Sequence, residues 1–247
     1  MKQTTVFVGI LVLVTAAVFG APAILLDHCY DHATFSQTWK APLGEWMVVG
    51  DTTSDPKDEK LLASRPGEGV AMNGATGKTT SLLTNQDFGD IELSVDFMVP
   101  KGSNSGIYLQ GRYEIQILDS FGVEHPKYGD CGGIYQRWKE EPGLEDSQRG
   151  YEGHAPLTNA SKKSGEWQTL RAIFYAPKFD KDGRKTANAR FENVWLNGVL
   201  VQDHVDVTGP TRAAHFNDEN TLGPIMLQGD HGPVAFRNLR IMSLGST

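Results

Sequence analysis

The clearest alternation of apolar and polar positions runs from Ile91 to Phe97. Ile91, Leu93, Val95 and Phe97 face one way and Glu92, Ser94 and Asp96 the other, the period of a β-strand with one buried face. Pro100-Lys101-Gly102 ends it. A second alternation follows in Ser103–Asp119, read as the hairpin partner of the first, with its own turn near Gly111-Arg112. Ile107, Leu109, Ile115 and Ile117 point to a core, and Tyr108, Gln110, Arg112, Glu114 and Gln116 point the other way. An aromatic, two amides, a guanidinium and a carboxylate in a row suit a polyhydroxylated ligand. They also suit a solvated face held by cross-strand polar pairs.

Shorter strands flank these two. Glu45–Gly50, Val70–Asn73 and Ser81–Thr84 precede them, and Asp51–Gly69, rich in Asp, Lys and Pro, reads as an irregular surface loop. Between Ser120 and Lys163 periodicity disappears. The aromatics Phe121, Tyr128, Tyr135, Trp138 and Tyr151 argue that this segment is ordered, as loops walling a site. Glu166–Phe174 returns to strand. Asp180-Lys181-Asp182-Gly183 opens like a calcium loop but lacks the later ligands and closing Glu, so a hairpin tip is expected. Asn197-Gly198 joins Ala189–Leu196 to Val199–Val201 as a tight hairpin. A last pair, Gly223–Gln228 and Val234–Ile241, is linked through Gly229-Asp230-His231-Gly232-Pro233. About a dozen short strands without a repeat or a long 3.6-residue pattern predict an all-β domain, a β-sandwich of two antiparallel sheets.

The first 23 residues differ in kind. A basic start at Lys2, an apolar run from Val6 to Val18 and Ala21-Pro22-Ala23 predict a signal peptide over residues 1–23 and one domain over residues 27–247. The apolar run is too short to span a bilayer comfortably. The expected protein is exported, periplasmic or extracellular, with no membrane insertion after cleavage. Net charge is −7 with both signs interspersed, which excludes the basic footprint that nucleic acid requires. The 27 Gly and 12 Pro are spread along the chain, consistent with many turns. Cys29 and Cys131 lack metal-ligand spacing; export permits a disulfide between them, and a buried free Cys131 beside Gly132-Gly133 is the preferred reading.

Several segments together resemble one family. Phe88-Gly89-Asp90-Ile91-Glu92-Leu93, Ser103-Asn104-Ser105-Gly106-Ile107-Tyr108, Tyr113–Asp119, Gly165-Glu166-Trp167-Gln168, Leu196-Asn197-Gly198 and Leu227-Gln228 with His231-Gly232 and Val234–Asn238 occur in this order. Each is weak alone, and six in register are specific. The set is similar to the 3-keto-disaccharide hydrolase family over about Phe35 to Leu244. That resemblance implies a concanavalin-A-like jelly roll, a secreted or periplasmic setting and action on sugars oxidised at C3. A ketone at C3 acidifies the C2 proton, so a positioned base removes it while the C1 substituent leaves, and water then adds to the enone. Such chemistry needs an acid or base, a stabiliser for the enolate oxygen, and clamps for hydroxyls.

The residues suited to those roles are Glu114 and His231 as the titrating pair. Arg112 suits an enolate clamp, and Gln110, Gln116 and Gln228 suit sugar hydroxyls. Asp230 stands beside His231, Tyr108 lies on the polar strand face, Tyr135 and Trp138 offer ring faces, and His154 is a further titrating group. Arg237 and Asn238 read as structural. No cofactor is required; a divalent ion could hold the ketone and enolate oxygens, although no HxH, HExxH or carboxylate cluster appears. Carbohydrate is the expected partner. Two other readings stay open. Glu114-Ile115-Gln116-Ile117-Leu118-Asp119 resembles the signature of laminarinase-type hydrolases if a bulge after Ile117 brings Glu114 and Asp119 to one face. A non-catalytic carbohydrate-binding module would need only the aromatics and amides.

Overall fold

The computed structural model describes residues 24–26 in backbone and residues 30–245 in full; the signal-peptide prediction over 1–23 and Cys29 lie outside the described residues. In chain order the elements are β1 (Ile24–Leu26), α1 (Phe35–Thr38), β2 (Met47–Ser54), β3 (Leu62–Met72), β4 (Leu82–Phe88), β5 (Ile91–Met98), β6 (Asn104–Leu109), β7 (Tyr113–Leu118) and β8 (Arg137–Trp138). They continue with α2 (Asp146–Arg149), β9 (Gly150–Tyr151), β10 (Gln168–Tyr175), β11 (Lys178–Phe179), β12 (Lys185–Ala187), β13 (Ala189–Leu196), β14 (Val199–Val207), β15 (Gly223–Leu227) and β16 (Ala235–Ser243). Two antiparallel sheets pack face to face, giving the predicted all-β jelly-roll sandwich. The larger runs β14-β13-β10-β5-β16-β3-β2 with β1 against β16, and the smaller runs β4-β15-β6-β7.

Alternation explains the core. Leu93, Val95 and Phe97 of β5 and Leu170, Ala172 and Phe174 of β10 meet Ile107, Leu109, Ile115, Ile117, Ile225 and Leu227 of the small sheet, all essentially inaccessible to solvent. A separate apolar cluster (Val49, Leu62, Val70, Met72, Met98 and Ala235) lies with Trp167 packed against it. Asn197 and Gly198 take positive φ at the β13–β14 turn, as the Asn-Gly pair predicts. Asp180 closes the β11–β12 tip by accepting from the amides of Asp182 and Arg184, the hairpin expected there.

Three strand expectations are corrected. Residues 51–69 are not an irregular loop: β2 and β3 form a long hairpin through them, with a register shift between Val49 and Asp51. β16 pairs β3 only at Val70–Met72, so on the side away from β2 residues 62–68 have no partner among the described strands, Pro66 removes no ladder bond there and polar side chains stay wet. Second, β5 and β6 are not a hairpin. β5 pairs with β10 and β16 in the large sheet, while β6 pairs with β7 and β15 in the small one, so Val99–Ser103 crosses between layers. Third, β15 and β16 likewise belong to different sheets. A short Pro/Gly link serves a hairpin and a layer crossing equally well. Cys131 is a buried free thiol, and burial pushes its pKa up to about 11. Arg237 and Asn238 both donate to Asp96 Oδ2, which supports their structural reading.

Candidate active site

The outer face of the small sheet carries one cross-strand row. Leu83 pairs with Met226, Met226 with Tyr108, and Tyr108 with Glu114, so the four side chains stand side by side over β4, β15, β6 and β7. This face is not solvated. Tyr108 is 1 %, Glu114 3 % and Gln116 3 % exposed. Two segments without strand periodicity cover it. Residues 132–135 add an irregular strand beside β7: Gly132 N donates to Gln116 O, Gln116 N to Gly133 O and Tyr135 N to Glu114 O, at 2.8–3.1 Å. The 208–222 segment lies across its end, where Thr211 Oγ1 accepts from Glu114 N at 3.1 Å and donates to Arg112 O at 3.0 Å.

Glu114 therefore carries a carboxyl group in a dry setting. Burial, chiefly, raises its pKa to about 8; a hydrogen-bonding interaction with Tyr108 pulls it down and the charge of Asp230 pushes it up. The Tyr108 phenol is itself held far above its usual range by burial and then by Glu114, so it stays protonated and donates. Room for the carboxylate comes from Gly106, opposite Gln116 on β6: a Cβ there would lie 2.2 Å from Glu114 Oε1. Tyr135 feels the charge of the same carboxylate: its hydroxyl pKa is raised by burial and by Glu114 while Arg212 opposes the shift. The Arg212 guanidinium stacks 3.6 Å over the Trp138 ring and hydrogen-bonds Tyr135. Tyr128 packs edge-on against Tyr135.

A cavity of about 540 Å³ opens over the β4–β15 end of the row, lined among others by Leu83, Met226, Gln228, Asp230, His231 and His215. His231 Nδ1 lies 2.6 Å from Asp230 Oδ1, and both side chains are about half exposed. Gln228 is 7 % exposed and its Oε1 is buried without a partner among the described residues. Gln116 donates to Asn104 Oδ1 at 3.1 Å.

The structure thus gathers Tyr108, Glu114, Gln116, Tyr135, Trp138, Gln228, Asp230 and His231 around one face. It does not bring Gln110 and Arg112 there. Both lie in the β6–β7 turn, with Gln110 at φ 56°, and the turn breaks the alternation that placed them beside Glu114. Gln110 donates to Phe88 O and Thr221 O. Arg112 binds Asp218 through its carbonyl at 2.6 Å and its carboxylate at 2.7 Å, and Gln110 O at 2.9 Å, with its guanidinium over Phe216. It pins the 208–222 segment rather than pairing Glu114. Arg112→Met is expected to cost about 1.5–3 kcal/mol by leaving those acceptors without a charged donor; a thermal midpoint equal to wild type would refute this. His154 is held by backbone bonds to Ile134 in both directions. Arg212 and His215, in a stretch with no strand pattern, are the site residues that sequence reasoning did not find. Asp119 caps the amide of Gly102, and β7 pairs regularly to Leu118 with no bulge. Asp119 lies five residue steps along the extended chain from Glu114, about 16 Å, against the roughly 5–5.5 Å of a retaining glycosidase pair; the laminarinase-type arrangement is absent. Among the described residues no group of three or more His, Cys, Asp and Glu side chains is placed to hold a metal ion.

A two-layer antiparallel sandwich with a buried carboxyl group beside an open cavity is the frame of a glycosyl hydrolase-like domain. The comparisons agree: residues 33–242 match the model of the 3-keto-alpha-glucoside-1,2-lyase-like domain, and the chain belongs to that family. A solved structure from Parabacteroides distasonis ATCC 8503, bearing an inferred assignment as a glycosyl hydrolase, is 32% identical with TM-score 0.53; the match covers 68% of this chain and 71% of that one. Another from the same organism, with the same assignment, is 23% identical with TM-score 0.48 over 80% and 98% of the two chains. No curated protein matches. Among the described residues no helix is long and apolar enough to cross a membrane.

Proposed function

We propose that this protein cleaves the glycosidic bond of glycosides oxidised to a ketone at C3, by elimination followed by hydration. The observation that carries the reading is Glu114, a carboxyl group with pKa near 8 buried beside a sugar-sized cavity, in a chain of the 3-keto-alpha-glucoside-1,2-lyase-like family. A general base works best when its pKa lies near the operating pH, and burial moves that of Glu114 toward neutrality and above. Glu114 accepts the C2 proton. The C2–H electron pair forms the C1=C2 bond, the C1–O bond breaks, and the leaving oxygen takes a proton from His231 or water on the cavity side. Tyr135, whose hydroxyl feels the Glu114 charge, and Arg212, hydrogen-bonded to Tyr135, stabilise the enolate oxygen at C3, the role that sequence alone gave to Arg112. Water then bonds C1 through its oxygen, its released proton restores the donor that protonated the leaving oxygen, and Glu114 returns its own proton to C2, so the sum is hydrolysis. No cofactor enters these steps. An exported setting fits a substrate met outside the cytoplasm.

The test incubates purified protein with a disaccharide and with its 3-keto derivative, each with and without a chelator. Cleavage of the keto sugar alone, insensitive to chelator, is the expected result. Cleavage of the unoxidised sugar would overturn the reading, loss of keto-sugar cleavage with chelator would make a metal part of the site, and binding without turnover of either would leave a carbohydrate-binding module.

A further inference from the structure

The cavity beside the row Leu83–Met226–Tyr108–Glu114 has a floor unlike its other end. Adjacent strands lie roughly 4.8 Å apart, so Met226, two strands from Glu114, stands about 10 Å away, and Leu83 one strand further. That is the span from a pyranose ring held at Glu114 to whatever is attached at its C1. Over β6–β7 that ring meets a carboxyl group, two phenols and a guanidinium. Over β4–β15 the floor is apolar: Leu83 and Met226, 9 % and 4 % exposed, join Tyr108 in a separate apolar cluster with Phe216 packed against it. Pro42, Ala213 and Ala214 add small apolar wall, while Lys40, Thr80, Ser81, His215, Gln228, Asp230 and His231 supply the polar part of the lining. A second sugar lying on this floor would set the hydroxyls of its underside on Leu83 and Met226, which can neither donate nor accept, each a lost hydrogen bond with water, and only its edge would reach the polar lining. A flat apolar group would gain from burial, and the Met226 thioether makes favourable contact with aromatic rings.

We infer that this cavity is the leaving-group subsite and that it selects glycosides with a flat, apolar aglycone, such as an arylmethyl group, over a second sugar. The inference rests on the reading of Glu114 as the centre of glycoside cleavage.

Two measurements separate the two ideas. Calorimetric binding of benzyl glucoside, methyl glucoside and a glucosyl disaccharide tests the cavity without any reaction. Turnover of the three 3-keto derivatives tests selection during catalysis; benzyl and methyl alcohol have similar acidity, so leaving-group chemistry does not create the difference. The expected result is at least tenfold tighter binding and at least tenfold higher kcat/KM for benzyl than for methyl, the scale set by burying a few methylene equivalents, with the disaccharide below benzyl. In Met226→Gln, which keeps the floor's shape and makes it polar, and in Ala214→Leu, which fills the cavity, the benzyl-to-methyl ratio should fall toward one; the ratio cancels any general loss of folded or active protein. Equal binding of benzyl and methyl, a disaccharide bound best, or a ratio unmoved in both variants would overturn the inference. Selective benzyl binding with no turnover of any keto glycoside would uphold the cavity and sink the proposed reaction instead.

Discussion

Glu114→Gln should reduce cleavage of a 3-keto glycoside by a hundred- to ten-thousandfold, the contribution of a positioned proton acceptor, while making the protein more stable. Both effects come from one fact, that burial raises the pKa of this carboxyl group from 4.5 to about 8. As a base it acts only when ionised. About a tenth of molecules are in that form at pH 7 and half near pH 8, so kcat/KM of the wild type should climb with pH and level off above about 8. The amide variant should lack that limb. Stability runs the other way. Between about 4.5 and 8 the unfolded chain has given up this proton and the folded chain still holds it. The native state then binds more protons, and stability falls as pH rises through that window, flattening above it. An amide fits the same space with no charge to bury, so its thermal midpoint should overtake that of the wild type progressively from pH 5 to pH 8. A variant with wild-type rates would remove Glu114 from the chemistry, and one whose midpoint tracks the wild type at every pH would show that the carboxyl is not buried as described.

How far the sequence discloses this site follows from what fixes each residue. Glu114, Gln116 and Tyr108 were legible because a strand sends every second side chain to the same face, and that rule is local. Gln110 and Arg112 were misplaced by the same rule, because the turn they occupy resets the alternation; only the contacts of Arg112 with Asp218 show where it belongs. Which face would be dry was not legible. Glu114 is buried by residues 132–135 and 208–222, and those segments are held by bonds to residues distant in sequence, such as Thr211 N to Arg112 O and Arg212 N to Gln136 O. Such bonds leave no periodic trace, so Arg212 and His215 went unnoticed. Pairing between sheets was lost for a related reason: Pro100-Lys101-Gly102 stops a strand without saying whether the chain turns back or crosses over. The fold class survived these errors because it depends on the number and length of strands, not on their order.

Gly106→Ala separates position from chemistry. Gly106 sits on β6 opposite Gln116, outside the left-handed backbone region, so alanine suits its conformation and even removes some backbone freedom from the unfolded chain. Its methyl group, however, would lie 2.2 Å from Glu114 Oε1 and 3.0 Å from both Glu114 Cδ and Tyr108 Cε2. No carbon stands so close to a carboxylate oxygen, so the Glu114 terminus must swing away; being the end of a flexible side chain, it can do so at little cost to the fold. A displacement of about 1 Å at a catalytic group is enough to lose on the order of a hundredfold in rate. The variant should thus melt within about 1 kcal/mol of wild type and cleave a 3-keto glycoside at least a hundredfold more slowly. It should do so with the glutamate still present, and the pH limb near 8 should shift toward lower pH as the displaced carboxyl finds water or loses its dry surroundings. Full activity in Gly106→Ala would mean that the reacting proton does not meet Glu114 where the fold now holds it, whatever the outcome for the Gln variant.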